Sequence, residues 1–279
     1  MPADGSGTGP RYPTAGTVQE LADHLDHVRA LIDAAARRSG RRPGEVALLP
    51  VSKTVTEDRI RLAVQAGCHR LGENKVQEAA RKHDALADLA VEWSIIGHLQ
   101  TNKTKDVVAF ATEFHALDRL KVAEALDRRL QAAGRSLDVY VQVNTSGEDS
   151  KYGLPPGEAL GFLRQLPRFT SLRIQGLMTL AVFSDDTERV RPCFVRLREV
   201  RDRAREIDPD LIGPGGLSMG MSGDFEVAVE EGATVVRVGQ AIFGARPLPD
   251  SYYWPTDSAG GPPSPSRSGS TCVNRSDRP

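Results

Sequence analysis

The chain has 279 residues, with 36 basic against 37 acidic side chains, a formal net charge of −1 and 39% hydrophobic residues. That length supports a sizeable core, in one large domain or two small ones, and the near balance of charge draws the chain neither to nucleic acid nor to an anionic membrane. Three widely spaced cysteines, Cys68, Cys193 and Cys272, form neither a disulfide framework nor a metal cluster. No apolar run comes near the roughly 18 residues of a spanning helix, so a soluble, cytoplasmic protein is expected.

Residues 1–16 are rich in Gly, Pro, Ser and Thr and are expected to be disordered. Order starts at TVQE, where Thr17 and Glu20 make a capping box, and Val18, Leu21, Leu25, Val28, Ile32 and Ala35 then form one apolar stripe that ends before Gly40. His24 and His27 stand beside polar neighbours and read as surface histidines. The run VALLPV, 46–51, closed off by Pro43 and Gly44, is too short for a buried helix and reads as a buried parallel strand. Lys53 sits where that strand ends. Thr56, with Glu57 and Asp58 behind it, is placed to cap a helix that stops at Gly67.

From there β-rich runs alternate with helical ones. Strands are expected at 69–74, 93–99, 114–118, 137–144, 172–180, 216–221 and 234–240, with a helix in each interval. Eight such units predict parallel strands with right-handed crossovers, a single α/β (β/α)8 TIM barrel over residues 17–255. A doubly wound open sheet competes, but no glycine-rich dinucleotide turn follows the first strand, and polar or glycine residues recur at most strand ends. The Arg/Glu-rich helix at 185–207 reads as a solvated outer face held partly by charge pairs. From Thr256 to residue 279 a disordered tail is expected, which leaves no second folded domain.

The strand ends carry the chemistry, because in such folds ligands bind where the C-terminal strand ends converge. Lys53 is either a solvated rim charge or, half withdrawn from water, an amine that attacks aldehydes. In LSMGMSGDFEVAVEEG, 217–232, Ser218 and Ser222 flank a glycine, and Ser222, Gly223 and Asp224 open a helix, an arrangement that suits a phosphate as well as an ordinary cap. Arg237 lies two residues before Gly239 on the last strand, so both face one way. Its ordinary alternative is a salt bridge to Glu231 or Asp224. An aldehyde that bears a phosphate would use the lysine, the cradle and the arginine together, and pyridoxal 5′-phosphate (PLP) is the common cellular molecule of that kind.

VSKTV at 51–55, GENKVQE at 72–78, IGHLQTNK at 96–103, VNTSGEDSKYGL at 143–154, GLMTLA at 176–181 and LSMGMSGDFEVAVEEGATVVRVGQAIFG at 217–244 closely resemble the pyridoxal phosphate homeostasis protein family, in order along residues 18–247. The resemblance implies a single barrel like the N-terminal barrel of alanine racemase, with the cofactor carried on Lys53 as a Schiff base. It implies that Asn74, Met178 and Thr179 line the ring, and that Ser218 and Ser222 hold the phosphate with backbone N–H groups around Met219, Gly239 and Gln240. Arg237 would face the pyridine nitrogen. Ser94 departs from the family's usual histidine after the tryptophan, which puts in doubt any partner contact made there.

An arginine opposite the pyridine nitrogen disfavours its protonation and weakens the ring as an electron sink. Racemisation also needs a second acid/base group, which alanine racemase takes from a β-domain and partner subunit, by the same resemblance. Here Tyr152, Tyr252 and Tyr253 are available, and packing is the expected role of each. The expected function is therefore cytoplasmic buffering and delivery of PLP without robust turnover, by a monomer or weak homodimer whose partners are PLP and apo PLP-dependent enzymes. A weak PLP-dependent racemase or lyase is the alternative, and an interaction protein that retains the cofactor structurally is the third.

Overall fold

Thr17 opens the first helix, α1 (Val18–Arg38), as its spacing predicts: its hydroxyl accepts from Glu20 N–H while the Glu20 carboxylate accepts from Thr17 N–H. In the computed structural model, which describes residues 12–184 and 186–245, the apolar stripe of α1 is buried from Leu21 to Ala36. The strands follow as β1 (Ala47–Pro50), β2 (Arg70–Glu73), β3 (Glu92–Ile95), β4 (Glu113–Leu117), β5 (Leu137–Gln142), β6 (Leu172–Met178), β7 (Gly216–Ser218) and β8 (Val235–Val238). Between and after them lie α2 (Glu57–Gln65), α3 (Val76–Ala85), α4 (Thr104–Phe110), α5 (Leu120–Ala132), α6 (Ala159–Leu163), α7 (Thr187–Ile207), α8 (Phe225–Glu230) and α9 (Gln240–Phe243). Each helix crossing returns the chain parallel to the strand before it, as βα alternation requires.

The ladder runs β1-β8-β7-β6-β5-β4-β3-β2, every pair parallel. The ring closes between its two ends through one bridge, Val51 to Gly72, with Ser52 N–H donating to Gly72 C=O at 3.0 Å. This is a nearly closed (β/α)8 barrel. Below the bridge β1 and β2 share no ladder, and a cavity of 480 Å³ opens there, lined by Leu25, Ile32, Leu48, Pro50, Cys68 and Arg70 among others.

Local details differ from the reading of the sequence. Thr56 is the N-cap of α2, but its side chain makes no capping bond, so the acidic first turn of Glu57 and Asp58 is what favours that end. Strand β7 is three residues long, because the chain turns at Gly220, φ +95°. His24 is not a surface histidine: its Nδ1 lies 2.9 Å from Ile242 C=O and ties α1 to α9. Within the stretch expected to be disordered, Ala15 is buried and its carbonyl accepts from Arg59. Residues 1–11, the tail from 256, Tyr252, Tyr253 and Cys272 lie outside the described residues. Arg191 and Arg198 of α7 pair across to Glu230 at the end of α8 and to Glu231, its C-cap, so the charged helix is bonded to its neighbour rather than only along itself. Cys68 and Cys193 are buried, and burial pushes the Cys68 thiol up to about 12. Among the described residues, no helix is long and apolar enough to cross a membrane.

Gly176 shows how tightly β6 and β7 pack. Its φ is +150°, and a Cβ there would stand 1.9 Å from Gly216 C=O. Gly176→Ala is expected to destabilise the protein by about 3 kcal/mol or more, since backbone must move to admit one methyl group. Urea unfolding monitored by Trp93 fluorescence measures it, and a midpoint equal to that of the parent would refute the tight fit.

Candidate cofactor site

Beyond β1 the chain turns. Val55 N–H donates to Ser52 C=O at 2.9 Å, and Thr54, φ +67°, is the one non-glycine residue with a left-handed backbone among the described residues. This is type II turn geometry with Thr54 where glycine is usual. A β-branched residue in that conformation costs about 1–2 kcal/mol, which its surroundings must hold in place. Lys53, half-buried, is the turn's second residue. Next to the turn, Lys82 of α3 is wholly buried, and its ammonium donates to Ser52 C=O, Glu73 and Glu78, each at 2.7 Å. The Ser52 hydroxyl donates to Glu73 at 2.6 Å, and Thr54 N–H donates to Glu78 at 2.9 Å. Burial pushes the Glu73 carboxyl up against the pull of Lys82. Burial acts on Glu78 too, but the Lys82 ammonium and Thr54 N–H outweigh it and hold that carboxyl below its ordinary value.

On the neighbouring strand β8, the register pairs Pro50 with Val238 and so brings the following loops side by side. A Cβ on Gly239 would lie 3.1 Å from Val51 C=O, a tight contact to which that carbonyl would have to yield by a few tenths of an ångström. The Ser222 hydroxyl oxygen accepts from Gly239 N–H at 3.2 Å and Ala241 N–H at 3.4 Å, long bonds that gather donors at one point. Asp224 holds this loop by accepting from Met221 N–H, and burial pushes its carboxyl up. The Met219 N–H is engaged elsewhere, donating to Val235 C=O at 3.0 Å.

Ser218 points into the barrel rather than toward Ser222. Its Oγ accepts from Arg237 Nη1 at 2.8 Å and lies 2.9 Å from His115 Nδ1, a contact between β4 and β7, which are not ladder neighbours. Arg237 is buried, and its Nη2 donates to Thr179 C=O at 2.7 Å. Neither Glu231 nor Asp224 forms the salt bridge that was Arg237's ordinary alternative: Glu231 pairs with Arg191 and Arg198, and Asp224 acts on Arg237 only at a distance. Burial pulls the Arg237 guanidinium down to about 10, which leaves it charged at neutral pH. Since Ser218 accepts from Arg237, its hydroxyl proton is directed to His115 Nδ1, and His115 Nε2–H then donates to Glu113 at 3.0 Å. Burial pulls the His115 imidazole below its ordinary value, which agrees with this neutral tautomer. Arg70 and Ser94 also donate to Glu113, completing a polar column through the barrel. Ser94 is therefore no rim residue; it is buried inside, where its hydroxyl serves Glu113.

Around the mouth, Met178 and Thr179 are buried at the end of β6, with the Thr179 hydroxyl donating to Val143 C=O. Asn74 is half-buried after β2, and a Cβ on Gly97 would meet its carbonyl at 2.2 Å. Tyr152 stacks on His98 at 3.8 Å between ring centroids. Lys151, which the sequence reading passed over, donates to Ala181 C=O at 2.7 Å.

Residues 23–247 match the family described as alanine racemase, N-terminal domain. A protein of Aquifex aeolicus named pyridoxal phosphate homeostasis protein is 40% identical over 225 residues, 80% of this chain and 97% of that protein. One of the same name from Pseudomonas aeruginosa is 41% identical over 226 residues, 81% of this chain and 96% of that protein. The chain belongs to the pyridoxal phosphate homeostasis protein family. A solved family member, PipY of Synechococcus elongatus with PLP bound, superposes with a TM-score of 0.70 at 33% identity, covering 80% of this chain and 100% of that one. An alanine racemase of Clostridium difficile, at 14% identity and a TM-score of 0.65, covers 88% of this chain and 60% of the racemase, a likeness of fold alone.

Of the residues expected to serve this family's cofactor, Lys53, Ser222, Gly239, Gln240 and Arg237 come from adjoining β1, β7 and β8 ends, and Asn74, Met178 and Thr179 stand on β2 and β6 ends. Sequence reasoning missed Lys82 and His115, although each carried a signal. Lys82 falls on the buried stripe Val76, Ala79, Lys82 and four residues after Glu78, and His115 sits mid-strand between Phe114 and Ala116.

Burial would raise the Glu113 carboxyl, but its bonds to His115 and Arg70 hold it at about 2 against 4.5 ordinarily. A depressed carboxyl contributes stability that is complete above about pH 4.5 and lost as pH falls toward 2, a difference on the order of 3 kcal/mol. Denaturation midpoints from pH 6 to pH 2 should fall less steeply in Glu113→Gln than in the parent. Parallel profiles would show that Glu113 is not held this way.

Proposed function

We propose that this protein binds PLP reversibly through Lys53 and serves its intracellular homeostasis, buffering the cofactor and delivering it to apo-enzymes in the cytoplasm. The observation that carries this reading is the adjacency of three donor groups around one mouth: the Lys53 amine after β1, the Ser222 hydroxyl with the N–H groups of Gly239 and Ala241 beside β8, and the buried Arg237 guanidinium. A donor set rich in N–H and cationic groups fits an aldehyde that bears a phosphate. The names of the relatives and the PLP-bound PipY support it.

When bound, PLP supplies an electrophilic aldehyde and a ring that can take up electrons. Lys53 would hold the aldehyde carbon, and Ser222 with Gly239, Gln240 and Ala241 the phosphate. Ser218, contrary to its expected phosphate role, would hold Arg237, and Met219 would serve as wall. Asn74, Met178 and Thr179 would border the ring. Arg237, fixed by Ser218 and Thr179 and still charged, would face the ring nitrogen and oppose its protonation, which favours retention over chemistry at an amino acid's α-carbon. Tyr152, the described candidate for a second acid/base group, is 57% exposed and engaged with His98, which gives the racemase alternative no support. A monomer or weak homodimer suffices for this role.

An absorption spectrum from about 300 to 500 nm tests it, with a band near 420 nm expected from the lysine-bound cofactor. Borohydride should bleach the band and leave a stable adduct that peptide mass spectrometry locates on Lys53, and Lys53→Ala should show neither. A protein that stays colourless with added PLP would sink the reading. Ser222→Ala is expected to weaken PLP binding about tenfold, the effect of a lost hydrogen bond to a charged group, measured by titration; unchanged affinity would remove Ser222 from the cradle.

A further inference from the structure

Every polar group of Ser52 is held. Its N–H donates to Gly72 C=O, its hydroxyl donates to Glu73, and its carbonyl accepts both from Val55 N–H and from the buried Lys82 ammonium. On the other side of Lys53, Thr54 keeps a left-handed backbone that a threonine does not adopt by preference, and its N–H is held by Glu78. Glu78 and Glu73 are joined through Lys82, whose three bonds use all three ammonium protons. The two residues that flank Lys53 are thus fixed by a single cluster.

A buried lysine with two carboxylates is a costly way to fill space, because apolar residues of similar volume pack there without desolvating charges. Packing alone does not account for it. Beyond the Lys82–Glu78 bond within α3, the cluster's bonds end on the turn that carries Lys53 or on the end of the adjoining strand β2, and one Glu73 oxygen, Oε2, is buried without a hydrogen-bond partner. The remaining cost is borne at this one turn.

We propose that Lys82, Glu73 and Glu78 are positioning residues for Lys53, clamping the turn Ser52–Val55 so that the lysine's amine is presented at the mouth in one orientation. The inference rests on the PLP-binding reading above. With the clamp intact, Lys53 loses little freedom on bonding the cofactor's aldehyde carbon; without it, Thr54 relaxes from its strained backbone and the amine moves with it.

The test compares Glu78→Ala with Glu78→Gln. The amide keeps an oxygen that accepts from Thr54 N–H, and alanine does not. Two readouts are taken on the full-length protein: PLP affinity by absorbance titration, and hydrogen exchange at residues 52–55 without cofactor. Glu78→Ala is expected to weaken PLP binding about tenfold and to speed exchange at Thr54 by a similar factor, as loss of a charge-assisted bond implies, while Glu78→Gln stays within about threefold of the parent in both. Ser52→Ala, which removes one hydroxyl and leaves the ion pairs, provides a second measure should Glu78→Ala not fold, with binding weakened by about threefold or more. Parental affinity in Glu78→Ala or, failing that, in Ser52→Ala overturns the proposal, and so does a Glu78→Gln variant that falls as far as Glu78→Ala. If the parent itself takes up no PLP, the carrier reading has failed and the positioning role with it; a parent that binds while the variants match it fails the positioning role alone.

Discussion

A ring of parallel strands has to be closed somewhere, and here closure rests on one bridge, Val51 to Gly72, and the Ser52 N–H beside it. The other strand pairs share ladders, while β1 and β2 meet only at their C-terminal ends. Lys53 stands two residues past the bridge. What a ladder does elsewhere is done at this seam by side chains, since Ser52 follows β1, Glu73 ends β2, and Lys82 reaches both from α3. Charge inside a protein interior is a poor source of stability but a specific one, because each partner has few places it can go. The seam is therefore directional in a way that apolar packing is not.

A second polar construction crosses the barrel itself. Glu113, His115, Ser218 and Arg237 form a chain in which each proton position follows from the next, beginning with a guanidinium that can only donate. The chain fixes the imidazole tautomer, and the tautomer fixes which way the Ser218 hydroxyl points. This is why Ser218 and Ser222, four residues apart and alike in composition, do different work. One is turned inward by Arg237, and the other is exposed by the turn at Gly220 to the N–H groups of Gly239 and Ala241.

Periodicity carried most of the fold. Alternating β-rich and helical runs placed eight strands within a few residues of their positions, and strand ends named the residues around the mouth, because backbone geometry at that rim depends on local sequence. What was not legible is equally physical. Whether a serine hydroxyl faces a loop or the barrel depends on partners such as His115, more than a hundred residues away in sequence. Ser94 read only as a departure from the family's usual histidine, whereas its hydroxyl is turned inward to Glu113, one residue before β3 ends at Ile95. The capping bond expected of Thr56 is absent, although the helix begins there. Long-range hydrogen bonding decided the orientation of both serines, and no window of sequence contains it.

The column through the barrel holds two guanidinium groups, Arg70 and Arg237, against one carboxylate, Glu113, with His115 neutral between them. Its balance is one positive charge in excess, set within low-dielectric walls that focus a field rather than disperse it. Mobile ions screen such a field over about 8 Å in physiological salt, but only where solvent reaches. At the mouth this excess sits beside the Lys82, Glu73 and Glu78 cluster, and for an anion it would add an attraction that does not depend on shape. Release of an anion from the mouth would run against the same gradient.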